Sequence, residues 1–348
     1  MRRFIILLLA LFTVCLNVDA QYMTSKSVVK VRRTKAQKQT KKQRGVEKAT
    51  QAEDFYKKGT LLYEQKQYDG AFMFFRSAAR LEHSDAQTFL GRCYEKGIGT
   101  ERNNSEAIHW YQKAANQGNL EGITRLGLCF LYGIGTSRDS EFAKLLFNKA
   151  ADKGSGFAYS CLGDCYSKGR GETINYEESI RLYKKAIELG YNPAIYKLGM
   201  LYYKGTGVEK DYNEAARLFK EGAEKEEPNA INMLAICYAR GRGVEKDVQE
   251  SVRLYKIAAE KGYPAAQNNL ATCYRNGRGI DQDYEQAVYW YTQAAKQGYM
   301  PAQQHLGQCY EMGMGVLIDL NEAIIWYRRA ASRGSTFARK RLEVLGAN

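Results

Sequence analysis

Residues 302–334 read AQQHLGQCYEMGMGVLIDLNEAIIWYRRAASRG. The stretch contains two helix-length segments separated by glycines. Leu306-Gly307 and Tyr310 lie in the first; Gly313 and Gly315 then interrupt it, because glycine accepts positive φ without steric penalty. Asp319 opens the second segment, which carries Tyr327 and Ala330-Ala331 and stops at Gly334. Moving backwards by 36 residues finds the same pattern again, and it does so six times. The anchor leucines are Leu90, Leu126, Leu162, Leu198, Leu234, Leu270 and Leu306, with no insertion between any two.

Other positions keep the same step. Four residues before the anchor stand Ala86, Gly122, Ala158, Ala194, Ala230, Ala266 and Ala302, all small enough for close helix approach. Four residues after it come Tyr94, Phe130, Tyr166, Tyr202, Tyr238, Tyr274 and Tyr310. The second segments begin at Asn103, Asp139, Asn175, Asp211, Asp247, Asp283 and Asp319. Glu or Gln follows three residues later in six of the seven, the exception being Phe142, which predicts a reciprocal capping box. Two helices of about 12 residues cannot bury their faces alone, so the units must stack.

The motif LGxCYxxGxGVxxDxxEAxxWYxxAAxxG resembles the Sel-1-like repeat, a relative of the tetratricopeptide repeat. The resemblance covers residues 86–335 as seven units of 36 residues. It implies an all-α fold, a right-handed α-solenoid of stacked helix-turn-helix repeats. Residues 52–85 resemble a shorter, tetratricopeptide-like unit, in which Gly59, Tyr63, Ala71 and Phe75 match but the glycine turn is four residues shorter. Residues 336–348 continue the phase for half a unit and are expected to form a C-terminal capping helix whose Arg339, Lys340 and Arg341 face water.

Arg2 and Arg3 precede an apolar run from Phe4 to Leu16, and Val18-Asp19-Ala20 supplies small residues at a cleavage position. Residues 1–20 therefore read as a signal peptide and the chain as exported, periplasmic or secreted in a bacterium and in the secretory lumen of a eukaryote. The apolar run is too short to span a membrane. Residues 21–51 form a basic leader with ten Lys/Arg and one Glu, and are expected to be disordered. The leader reads either as a solubilising spacer or as an arm making weak contact with an anionic surface through residues 26–48. Beyond it, 40 Lys/Arg face 36 Asp/Glu, so the net charge of +14 gives no case for a nucleic-acid partner.

Seven cysteines remain after Cys15. Six share one repeat position (Cys93, Cys129, Cys165, Cys237, Cys273 and Cys309), where the fourth unit has Leu201, so the slot reads as small apolar core. Cys161 and Cys165, four apart on one helix, are the one local pair that could be tested for a disulfide. No HExxH, GxSxG or P-loop occurs, and His83, His109 and His305 are scattered over different units, so no catalytic residue, metal site or cofactor is expected. The Asn103-Asn104-Ser105 sequon reads as a helix cap.

The resemblance implies a non-catalytic scaffold that binds a protein or peptide in the concave groove of the solenoid. Alternatives are a structural or envelope-assembly spacer, or a β-lactam-binding hydrolase like members of a cysteine-rich branch. The groove would be lined by first-helix residues two before, two after, five after and six after each anchor leucine. The row two after the anchor is Arg92, Leu128, Asp164, Met200, Ile236, Thr272 and Gln308. Apolar residues concentrate in these rows at Leu128, Leu131, Tyr132, Tyr196, Met200, Tyr203 and Ile236. Contiguous exposed apolar surface marks contact sites, so these residues are the expected anchor region.

Overall fold

The structure is a computed structural model that describes Lys30 and residues 43–347. The signal peptide and most of the basic leader lie outside the described residues. The chain divides into two compact units after Arg138. The first unit holds α1 (43–64), α2 (Tyr68–Arg80), α3 (Ser84–Lys96), α4 (Asn104–Asn116) and α5 (Leu120–Tyr132). The second holds α6 (Ser140–Ala151), α7 (Gly156–Lys168), α8 (Tyr176–Glu188), α9 (Pro193–Lys204), α10 (Tyr212–Glu224) and α11 (Pro228–Arg240). It continues with α12 (Val248–Glu260), α13 (Pro264–Asn276), α14 (Tyr284–Lys296), α15 (Met300–Met312), α16 (Leu320–Ser332) and α17 (Thr336–Val344). No strand occurs among the described residues.

Within each unit consecutive helices pack on one another, and first helices of adjacent repeats also touch, α3 on α5 and α9 on α11. This is the all-α solenoid packing that the repeat predicts. The small-residue row makes the close approach: Ala86, Ala158, Ala194, Ala230, Ala266 and Ala302 have no exposed surface. The glycine after the anchor leucine does the same for a ring. A Cβ on Gly199 would sit 2.7 Å from the Phe219 ring, and one on Gly307 would sit 2.7 Å from Tyr327. Phe219, Tyr291 and Tyr327 are fully buried, and losing such a ring costs about 3–5 kcal/mol.

All seven expected cap residues are N-caps, each accepting a backbone N–H in the first turn of its helix. Asn103 is among them, its Oδ1 accepting from Ser105 and Glu106. The reciprocal half of the capping box is replaced by something else. In six of the seven the N-cap's own N–H donates to the carbonyl of the aromatic nine residues earlier, as in Asp247 to Tyr238 and Asp319 to Tyr310 at 3.0 and 2.9 Å. Glu178, Glu214 and Glu250 are thereby left for ion pairs with Arg181, Arg217 and Arg253.

The two glycines of each Gly-x-Gly turn have different jobs. The first is the left-handed C-cap of the first helix, as at Gly241 (φ 63°). The second is where one repeat meets the one before it: a Cβ on Gly243 (φ 70°) would lie 1.8 Å from the carbonyl oxygen of Tyr212. Glu226 stands where the other units have a stop glycine and adopts φ 58°. It holds a conformation that L residues avoid.

The six repeated cysteines are buried free thiols, and Cys161 is buried too. Because Cys165 is free, the local pair is not bridged. Burial pushes the thiols of Cys93, Cys165, Cys237, Cys273 and Cys309 up to about 11, and that of Cys129 to about 12. At the C-terminus, α17 seals the last pair with Ala338 and Leu342. Arg339 and Lys340 are exposed as expected, but Arg341 turns inward and pairs with Glu311.

Candidate functional site

The row two after each anchor leucine is half-buried in every repeat, neither core nor free surface. Within each unit its chemistry mostly follows the buried ring on the second helix of the same repeat. In four of the five repeats where that ring is tyrosine, its hydroxyl passes beneath the first helix and meets a polar residue of the row two or five after the anchor. In the first unit Tyr111 donates to Glu95 at 2.6 Å. In the second unit Tyr183 donates to Asp164 at 2.8 Å, Tyr291 and Thr272 are hydrogen-bonded at 2.9 Å, and Tyr327 donates to Glu311 at 2.7 Å. Where the ring is Phe219, with no hydroxyl to satisfy, the rows carry Met200 and Tyr203, both packed against the core beside it.

This pairing corrects the expectation that apolar side chains in these rows are exposed anchors. Leu131 is 1% exposed, a core residue that presents nothing to a partner. Tyr196 lies half-buried against Phe219, with ring centroids 6.3 Å apart. Tyr203 packs edge-on to Tyr212, and its hydroxyl accepts from Arg242 at 2.6 Å. Removing that side chain would therefore cost stability as well as any contact. Asp164 is held by Lys197 at 2.6 Å and Lys168 at 3.3 Å, and these cations keep its carboxyl below the usual range against the opposing effect of burial. In the first unit Arg92 stacks over Phe89 at 4.7 Å, Leu128 is half-buried, and Tyr132 is exposed.

A second polar system went unread in the sequence. It joins adjacent first helices of the second unit through the residue one before the anchor and the residue two before the preceding anchor. Lys197 donates to Ser160 at 2.8 Å, Asn269 to Asn232 at 3.0 Å, and His305 bonds Asn268 at 2.9 Å. The available signal was covariation along the chain: both positions are polar at each of these three junctions. Each junction has its own chemistry, which holds neighbouring repeats in register.

His305 gives this ladder a pH dependence. Burial, with Arg275 nearby, lowers its pKa from 6.5 to about 4, so the ring is neutral at pH 7 and Nδ1–H donates to Asn268. The unfolded chain binds the proton more readily, so stability falls as pH drops below about 6.5 and continues to fall towards 4. The loss at pH 5 relative to pH 7 should be about 2 kcal/mol. Urea denaturation of the parent and of His305→Gln at both pH values checks this; equal pH sensitivity of the two would refute it.

Two cavities lie on this face in the second unit. One, of about 260 Å³, opens between α11, α12 and α13 and is lined by Ile236 and Thr272 among others. The other, of about 490 Å³, includes Gln308, Met312 and Arg275. Among the described residues no cluster of His, Cys, Asp or Glu could hold a metal ion. No described helix is long and apolar enough to cross a membrane.

The Sel1 repeat family model matches residues 52–83, 84–119, 120–155, 158–191, 192–226, 228–263, 264–299 and 301–335. The first of these is the short unit before the regular repeats. Among solved structures, a Sel1 repeat protein from Oxalobacter formigenes is 30% identical over 88% of this chain and 91% of its own, with a TM-score of 0.58. A protective antigen of uropathogenic Escherichia coli strains displaying an SLR fold is 29% identical over 87% of this chain and 66% of its own, at a TM-score of 0.50. Yeast Tom70, 18% identical over 85% of this chain and 63% of its own at a TM-score of 0.54, shares the fold alone. No curated protein matches the chain in sequence.

Proposed function

We propose, from the premise that this chain belongs to the Sel1 repeat family, that it is a scaffold which holds a protein segment along the first-helix face of its second unit. Repeat solenoids of this kind are commonly interaction scaffolds and generally not catalysts. The observation that carries the reading is the half-buried row itself. Met200, Ile236, Thr272 and Gln308 give stacked repeats a mixed apolar and hydrogen-bonding surface, interrupted by the two cavities. Such surfaces, part apolar and part polar, are typical of non-obligate interfaces. Export is the setting we assign, on the Arg2-Arg3 start, the apolar run and the Val18-Asp19-Ala20 pattern.

The test is affinity capture with the full chain, comparing the parent with Ala239→Trp/Gln308→Trp. Both positions are half-exposed on this face, so the added rings obstruct it with little damage to the core. The expected result is loss of a stoichiometric partner at an unchanged melting temperature, while Arg253→Ala on the exposed surface of α12 has no effect. A partner that persists on the obstructed chain would remove the face from consideration.

A further inference from the structure

The repeat containing α11 and α12 departs from the hydroxyl pairing of its neighbours. Tyr255 is 6% exposed and lines the 260 Å³ cavity, yet the rows that elsewhere answer a tyrosine hydroxyl hold Ile236 and Ala239 here. Ser251, one turn back on its own helix, lines the same cavity. The missing polar side chain is replaced by open space. That space has a marked charge bias: Arg240 and Arg278 line it, no carboxylate does, and Asn269, Asn276 and Thr272 add donors.

The bias extends past the lining. Arg242 and Arg275 flank the same turns, and among the described residues none of these four arginines is ion-paired with a carboxylate. Arg181, Arg217 and Arg253, exposed on second helices, each have a glutamate. Arg240 and Arg275 lie in the last turns of α11 and α13, where a cation suits the helix dipole. That does not account for Arg242 and Arg278, which stand beyond the C-cap glycines. Arg242 is pinned over Tyr203 and Tyr212, and Arg278 donates to the carbonyl of Ala239 at 3.1 Å. The guanidinium groups of both are thus already oriented.

We propose that the cavity between α11, α12 and α13 receives one carboxylate-bearing residue of an acidic peptide segment, held by Arg240, Arg278 and the Tyr255 hydroxyl. Its volume is below the roughly 300–1,000 Å³ of pockets that enclose a small-molecule ligand, and suits a single side chain or chain end. Guanidinium forks match carboxylate geometry bidentately, and a buried hydroxyl supplies a directed third bond. The inference rests on the scaffold reading and names the chemistry of the segment that such a scaffold would hold.

Fluorescence anisotropy on the full chain at about 0.15 M salt tests it, at an ionic strength that screens loose surface attraction. One probe is a Gly/Ser peptide with consecutive glutamates and an amidated end. A second lacks acidic side chains and ends in a free carboxylate, and a lysine-bearing peptide serves as control. Saturable binding of either acidic probe is expected, weakened at least about tenfold by Arg240→Ala/Arg278→Ala and several-fold by Tyr255→Phe. Preference for the first probe assigns an internal acidic residue, and preference for the second a chain terminus. Both arginines are exposed, so the double variant should melt like the parent. Binding that is absent, or equal in the parent and the double variant as attraction to the basic leader would be, overturns the proposal. If partner capture is lost on the obstructed face while neither acidic probe binds, the scaffold reading survives and the acidic class does not.

Discussion

Gly243→Ala should destabilise the second unit by about 3 kcal/mol or more, whereas Gly262→Ala should cost about 1 kcal/mol. Both glycines have positive φ, 70° and 83°, so the conformational penalty is shared. They differ in what a methyl group would meet. At Gly243 it would lie 1.8 Å from the Tyr212 carbonyl oxygen, and at Gly262 nothing is within 4 Å. Backbone of an adjacent repeat cannot yield as a flexible side chain can, so the steric part is not relieved locally. Chemical denaturation of both variants checks the difference. Equal costs would mean that the second glycine of the turn serves conformation alone and not repeat-to-repeat contact.

Excising residues 194–229, one whole period, should leave a cooperatively melting helical chain; excising 18 residues from the same place should not. The longer cut joins Pro193 to Ala230, which stands where Ala194 stood. The shorter one places a second-helix sequence against a first-helix groove and turns its apolar face outward. The longer cut still has a cost. Lys197 is removed and Met233 takes its place against Ser160 and Asp164, so Asp164 loses its 2.6 Å ion pair while 17% exposed. Lys168 and Tyr183 still hold the carboxylate, so losing the closer cation should cost about 1–3 kcal/mol, and Asp164→Asn in the shortened chain should recover much of it. Thermal melts followed by circular dichroism compare the three chains. Similar collapse after both excisions would contradict a modular stack.

The architecture was legible in the residues because its determinants are local and recur. The anchor leucine, the small residue four before it and the cap aspartate each act within one helix pair, and seven copies make them unmistakable. The family assignment followed from the same positions. The candidate face was far less legible. Leu131, Met200 and Tyr203 looked like exposed apolar anchors because helical periodicity gives direction around an axis but not depth. For Met200 and Tyr203 the depth follows from Phe219 on the second helix of their repeat, a pairing between positions about 16 to 19 residues apart that helical periodicity does not show. The contacts of Lys197 with Ser160, Asn269 with Asn232 and His305 with Asn268 were hidden for a related reason, since each partner lies 37 residues away on a parallel neighbour. Arg240 and Arg278 read as ordinary cations at a helix end until the cavity beside Tyr255 is seen.

The buried thiols bear on where such a chain can travel. A thiol held near 11 is thiolate in roughly one molecule in ten thousand at pH 7, against about one in thirty for an ordinary cysteine. Exchange with a disulfide needs the thiolate and access to it, and burial withholds both. Once folded, the chain should thus be indifferent to the redox poise around it. Among the described residues an oxidising lumen or periplasm has no exposed thiol to couple, and a reducing cytosol has no disulfide to break. Secretion and free cysteines are at odds only while the chain is unfolded, so any misoxidation would be a hazard of the minutes around transport rather than of the working lifetime.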